Sequence, residues 1–288
     1  MTIKNPQWLI ETRELERQLG DAALRILDCT VHLKPAEGGG VRPASGRDDW
    51  SLAHIPGSGY ADLLGELSDR DSPLPVMMPP AEQFAAAMSR HGVGEGTRVV
   101  LYDTSNGIWA ARLWWMLRAF GFDAAAVLNG GWTKWKAEGR PVTDEPPHHP
   151  QARFVPRPRP WLIASKQDVI DALASRKTCL VNALSADEFA GRVSRVARPG
   201  RIPGSINVPA SALLDAATNA LRPGEELRAT FQQSGALGQQ RVITYCGGGI
   251  AAAADAFALA LLGFEDIALY DGSLVEWTQD ASLPMETG

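Results

Sequence analysis

The strongest constraint on this fold is that the chain contains the same unit twice. "HIPGSGYADLL" (residues 54–64) is matched by "RIPGSINVPASALL" (residues 201–214). Likewise "RVVLYDTSNGIWAARLWWMLRAFGFDAAAVLNGGWTKW" (residues 98–135) is matched by "RVITYCGGGIAAAADAFALALLGFEDIALYDGSLVEW" (residues 241–277). The offset is 147 between Pro56 and Pro203 and 143 between Tyr102 and Tyr245. So small a change is a difference in loop length, and one supersecondary plan used twice accounts for both halves.

Within each copy, short apolar runs alternate with helical stretches. The runs are "LRIL", "RVVLY" and "AAVL" in the first copy, and "CLV", "RVITY" and "DIALY" in the second. This alternation predicts an α/β fold of tandem units, each a parallel sheet with helices on both faces. Residues 141–160, "PVTDEPPHHPQARFVPRPRP", are dense in proline without apolar periodicity and read as an extended linker. The expected organisation is an N-terminal unit over residues 1–140, a linker over 141–160 and a C-terminal unit over 161–288. Trp114 and Trp115 lie at helical spacing among apolar residues, which predicts packing in the core or between the copies.

The copies differ where chemistry is expected. In the second, "VITYCGGGIAAAADAFALALLGF" (residues 242–264) sets Cys246 between a buried-strand pattern and a run of helix formers ended by Gly263. Parallel sheets of this kind bind ligands outside the carboxyl ends of their strands, where Cys246 falls. Consecutive glycines let backbone N–H groups converge, and the first turn of the following helix adds unpaired ones. Such a loop favours the thiolate, the form that attacks sulfur or carbon electrophiles. The first copy carries Asp103 at this place, in "LYDTSNG". A carboxylate cannot carry sulfur, so the first copy is expected to be catalytically silent.

Several function classes lose support at this level. A formal net charge of -5 offers nothing to nucleic acid. No run approaches the roughly 20 apolar residues of a membrane helix, and "MTIKNPQWLIETRELERQLGD" lacks an export pattern, so a cytoplasmic protein is expected. The three cysteines show no C-x-x-C spacing, which argues against a disulfide framework or a zinc site. Cys29 and Cys179 adjoin apolar runs and are expected to pack in the core. His148 and His149 have no further ligands at metal spacing and read as solvated linker residues, so no metal is expected. Neither glycine-rich nucleotide-binding pattern is present.

Taken together, the paired I-P-G-S segments, the strand-ending cysteine in the second copy alone, and the closing "LNGGWTKW" and "YDGSLVEW" resemble the two-domain rhodanese sulfurtransferases. The resemblance covers nearly the whole chain. It implies that Cys246 takes a sulfur atom from a small donor, thiosulfate or 3-mercaptopyruvate, and holds it as a persulfide. The acceptor would be cyanide or a thiol, that of a thioredoxin-like protein included. The backbone amides of Gly247, Gly248, Gly249, Ile250 and Ala251 would cradle the sulfur anion, with no cofactor.

The donor leaves more open. "CGGGIA" is closer to the neutral C-G-S-G-V-T loop of mercaptopyruvate-type members than to the basic loops of thiosulfate-type members. Gly248 and Ala251 nevertheless replace its two hydroxyl residues. His54 matches a family histidine near the interdomain cleft and reads equally as a structural residue steadying its turn; Arg201 holds that position in the second copy. Glu188, in "ADEFAG", stands where the mercaptopyruvate-type family carries an arginine for the donor carboxylate; Arg192, Arg195 and Arg198 follow and are candidates to substitute.

Two rival readings remain at the level of sequence. A phosphatase of similar loop design needs an arginine closing the loop, where this chain has Ala251, Ala252 and Ala253. A partner-fed persulfide carrier or regulatory module is favoured by the missing hydroxyls and arginine, and opposed by the retention of Cys246.

Overall fold

The computed structural model describes residues 3–35, 41–175 and 177–288. Its strands are β1 (Leu9–Ile10), β2 (Leu24–Asp28), β3 (Val31–Pro35), β4 (Val41–Ser45), β5 (Ser58–Tyr60), β6 (Arg98–Tyr102) and β7 (Ala125–Leu128), then β8 (Ile163–Ala164), β9 (Thr178–Asn182), β10 (Ile206–Asn207), β11 (Arg241–Tyr245) and β12 (Ile267–Tyr270). The α-helices are α1 (Thr12–Gln18), α2 (Arg47–Leu52), α3 (Ala81–Arg90), α4 (Ile108–Ala119) and α5 (Gly131–Ala137), then α6 (Lys166–Ala174), α7 (Ala186–Phe189), α8 (Gly224–Gln233), α9 (Ala251–Leu261) and α10 (Ser273–Trp277).

The duplication read from the sequence is a duplication of topology. One five-stranded sheet runs β1-β7-β6-β2-β5 and the other, in the corresponding order, β8-β12-β11-β9-β10. All strand pairs in both sheets are parallel. The first unit adds an antiparallel hairpin of β3 on β4, with Leu33 opposite Pro43.

Period-two alternation sends each strand's side chains to opposite faces. On β11, Val242 and the following Cys246 join the large central core, whereas Ile243 and Tyr245 join the outer core under α6 and α10. On β2, Leu27 faces the central core, and Leu24 and Ile26 face a third cluster beside α1 and α5. The helices that follow the two loops, α4 and α9, pack on each other in the middle of the molecule. Trp114 meets Phe257 edge-on there, 4.7 Å between ring centroids, and Trp115 donates its indole N–H to Leu162 O.

The proline-rich segment lies as a strap along the first unit. Phe154 is buried edge-on against Phe84, Arg157 N–H donates to Phe120 O at 2.8 Å, and Arg159 grips both carboxylate oxygens of Asp123. This corrects the solvated reading for His149, which is half-buried with Nε2 3.1 Å from Gly57 O; burial pushes its pKa down. His148 is exposed. Among the described residues, no helix is long and apolar enough to cross a membrane.

Candidate active site

Cys246 follows the last residue of β11 and is buried. Its amide is fixed from the next strand-end loop: Cys246 N–H donates to Ser273 Oγ at 3.1 Å, and that hydroxyl donates to Tyr270 O at 2.8 Å. Two more bonds pin the loop, Leu274 N–H to Cys246 O and Val275 N–H to Gly247 O. Gly249 has φ +77°, and a Cβ there would lie 2.7 Å from Asp271 O, so both conformation and space demand glycine. Gly247 and Gly248 differ. A Cβ would meet nothing within 4 Å at Gly247 and only Val275 at 4.0 Å at Gly248, so those two glycines keep space open beside the sulfur.

The first unit shows what such a loop holds. The buried Asp103 carboxylate accepts N–H bonds from Ser105 (2.8 Å), Gly107 (3.0 Å), Trp109 (3.1 Å) and Ala110 (3.0 Å). Burial pushes its pKa up, while these four donors oppose the shift. Asp103 and Cys246 each follow the tyrosine that ends their strand. From "GI" onward, however, the copies align Gly107 with Gly249 and Gly121-Phe122 with Gly263-Phe264. The cysteine loop is therefore one residue shorter than the aspartate loop, a difference the 143-residue offset of the tyrosines conceals.

Cys246, Gly247, Gly248, Ile250 and Ala251 line a cavity of about 430 Å³ between the two units. Its opposite wall comes from the first unit, from Val76, Ile108 and Trp109 and from Leu33, Val41 and Pro43 of the β3–β4 hairpin. The matching cleft beside Asn106, Gly130 and Phe257 measures about 30 Å³ and has room for little beyond water. Of these two clefts, the one at the cysteine has the volume for a small organic donor.

The four candidate cleft residues separate. Arg195 lines the cavity, half-exposed, with Nε 3.3 Å from Glu188 Oε1. Glu188 also lines it, and its other oxygen closes a capping box with Ser185 at the start of α7. Arg192 instead pairs with the exposed Asp187, and Arg198 spends its guanidinium on the carbonyls of Trp277, Thr278, Asp280 and Leu283.

His54 is not among the residues lining the cavity. It is fully buried, stacked on Trp50, with Nδ1 2.7 Å from Trp50 O and Nε2 3.0 Å from Glu145 O. Its backbone bridges to Thr143 as that of Arg201 bridges to Glu286. Both residues clasp the segment that follows their unit's last helix. Cys29 and Cys179 are buried, and burial is the main cause raising both thiols, that of Cys179 to about 11.

Sequence reasoning missed Ser273, Arg112 and Asp271. Ser273 adopts φ +47°, rare for a side-chain-bearing residue, and Gly131 has φ +53° at the same place in the first unit. The replacement of that glycine by serine, in the copy that has the cysteine, was the available signal. Arg112 on α4 and Asp271 after β12 form a buried interdomain ion pair, Nη1 to Oδ1 2.5 Å.

The molecule is thus a tandem parallel-sheet α/β protein with one thiol in a glycine loop, facing a cavity built by both copies. The rhodanese-like domain model matches residues 11–138 and 165–280, and the chain belongs to the rhodanese family of sulfurtransferases. It is 34% identical to human 3-mercaptopyruvate sulfurtransferase, over 94% of this chain and 90% of that one. It is also 34% identical to rat thiosulfate sulfurtransferase, over 92% and 88%. The crystal structure of a 3-mercaptopyruvate sulfotransferase from Escherichia coli matches with a TM-score of 0.82 at 30% identity, over 92% of this chain and 98% of that one. An anaerobic ergothioneine biosynthesis enzyme from Chlorobium limicola shares the fold, with a TM-score of 0.85 at 23% identity.

Proposed function

We propose that this sulfurtransferase works through a Cys246 persulfide, with 3-mercaptopyruvate as donor and a thiol or cyanide as acceptor. The observation that carries this reading is the buried cysteine on the floor of a cavity about 430 Å³ in volume, the size of site that encloses a small organic molecule. Identity does not choose the donor, since relatives named for mercaptopyruvate and for thiosulfate match equally well. The loop supports mercaptopyruvate: residues 246–251 carry no cation to hold a departing sulfite.

In the first half-reaction the Cys246 thiolate attacks the donor sulfur. The new S–S bond forms as the C–S bond breaks, and the electron pair leaves on carbon as the enolate of pyruvate. The persulfide proton then passes to that carbon, giving pyruvate and the persulfide anion. In the second, a thiolate or cyanide attacks the outer sulfur and Cys246 leaves as thiolate. Neither half-reaction calls for a cofactor or a metal.

Asp103 supports the cradle. Carried across the "GI" alignment, its donors Gly107, Trp109 and Ala110 correspond to Gly249, Ala251 and Ala252, whose amides would face an anion at Cys246. Gly247, Gly248 and Ile250 complete the loop. Arg195 would meet the donor carboxylate in competition with Glu188. We assign residues 1–140 as the silent unit, 141–160 as the linker and 161–288 as the catalytic unit, in a cytoplasmic enzyme. A thioredoxin-like protein is a fitting thiol acceptor, because the cavity mouth carries exposed Leu33, Val41 and Val193.

The test is turnover by purified protein with no partner added. Pyruvate release from 3-mercaptopyruvate, coupled to thiocyanate formation with cyanide, is the expected result. Absence of turnover with either donor, together with persulfide uptake from a donor protein, would favour the carrier reading instead.

A further inference from the structure

We infer that Arg112, from the unit without the cysteine, is a positioning residue for the Cys246 loop and acts through Asp271. This rests on the reading of Cys246 as the sulfur carrier. The Arg112 side chain is 1% exposed and that of Asp271 is 7% exposed, so the pair is withdrawn from water. Arg112 Nη1 contacts Asp271 Oδ1 and lies 3.5 Å from Gly249 O; Nη2 donates to Val76 O at 3.0 Å. The other Asp271 oxygen accepts Met78 N–H at 2.8 Å.

One guanidinium and its carboxylate thus join three pieces of the site. They are the cysteine loop at Gly249, the cavity wall at Val76, and the loop whose Ser273 and Leu274 bond to the Cys246 backbone. Val76 is held at φ +61°, a strained conformation for a β-branched residue, which persists where surrounding contacts over-determine it. A planar fork can hold the carboxylate and the wall carbonyl at once; an ammonium offers a single point.

The first copy has Asn129 at the place of Asp271, and the second has Ala254 at the place of Arg112 in the "GI" alignment. The clamp therefore runs in one direction, from the silent unit onto the cysteine loop. This gives the silent unit a part in the chemistry beyond walling the cavity: it sets where the loop amides point.

The test uses the full chain in three variants, Arg112→Lys, Asp271→Asn and the double Arg112→Met with Asp271→Leu. The double variant matters because replacing a buried ion pair by apolar residues of similar size is often neutral or stabilising. A pair that merely holds the units together is dispensable there, whereas a positioning pair is not. Alkylation of Cys246 by iodoacetamide at pH 7, read by peptide mass spectrometry, needs no sulfur donor, so it tests positioning even if the proposed donor is wrong.

In folded variants we expect Cys246 alkylation to slow by about fivefold or more, and kcat to fall roughly tenfold with KM nearly unchanged, as for a displaced reactive group. Folded variants with parental alkylation and kcat would overturn the assignment. So would failure of all three to fold, because the pair would then be a folding element.

Discussion

The Asp103 carboxylate and the Cys246 sulfur stand at the same point of two copies of one loop, each directly after the tyrosine that ends its strand. In the first copy the anion is built into the chain and satisfied by four backbone N–H donors. In the second, the same kind of loop surrounds the buried Cys246 sulfur and lines the larger cavity. Duplication has produced one self-filled anion site and one that chemistry can use.

Asp103→Ala separates stability from catalysis. It strands the N–H donors of the buried Trp109 and Ala110 and of the half-buried Ser105 and Gly107, so the variant is expected to lose folding stability at about 1–3 kcal/mol for each donor that stays buried and unpaired. At temperatures where it remains folded, kcat should stay at the parental value. Denaturant titration and steady-state kinetics on one preparation check both halves, and a large fall in kcat in a folded variant would contradict the silent role.

Ser273 tests how far the Cys246 amide matters. Ser273→Ala keeps a side chain at φ +47° and removes the hydroxyl that accepts the Cys246 N–H. Ser273→Gly removes the hydroxyl but suits the backbone, as Gly131 does in the first unit. Both variants are expected to lose kcat by roughly three- to tenfold, matching a bond worth about 1 kcal/mol. Only the alanine variant should also show a clear drop in thermal unfolding midpoint.

Much of this was legible in the sequence, because repeats, strand patterns and a glycine loop are local signals. Cys246, its loop and the tandem parallel sheets follow from them. His54 shows the limit: the I-P-G-S motif marks a turn but does not say which way the ring before it faces, and the ring faces Trp50 O and Glu145 O. Arg112 and Asp271 were hidden for another reason. Their pairing exists only once α4 packs against α9, and neither residue has a counterpart of matching charge in the other copy. The three arginines near Glu188 looked alike in sequence, and only the local turn geometry aims Arg195 at the cavity.

Glu188 is expected to restrain Arg195. Glu188→Gln keeps a residue able to serve the capping box and weakens the hold on the guanidinium. The pair is open to water on the Arg195 side, and such an ion pair is worth about 0.2–1 kcal/mol, so KM for 3-mercaptopyruvate should fall up to about fivefold with kcat unchanged. Steady-state kinetics of the two proteins side by side decides it; an unchanged or higher KM would remove Arg195 from the donor site.

Asp255 predicts a pH dependence of stability. It is fully buried in α9, neither carboxyl oxygen has a hydrogen-bond partner among the described residues, and burial pushes its pKa well above the ordinary value. The folded chain therefore keeps a proton that the unfolded chain releases at about pH 4. This contribution is fully present below the unfolded value and is lost as pH rises toward the folded one, at about 1.4 kcal/mol per pH unit. Asp255→Asn cannot titrate and should flatten the stability profile between pH 5 and pH 8, for which about 1 kcal/mol or more at the upper end is expected. Urea titrations at several pH values would show equal slopes if the prediction were wrong.

The central claim is that one thiol, Cys246, carries the sulfur. Intact-mass spectrometry of the reduced protein, after separate exposure to 3-mercaptopyruvate and to thiosulfate, tests it most directly with Cys246→Ser as control. The account predicts a gain of about 32 Da, one sulfur held as a persulfide, with 3-mercaptopyruvate on the parent protein and none on the variant. A gain that survives in Cys246→Ser, or a parent protein that takes up no sulfur from either donor, would contradict it.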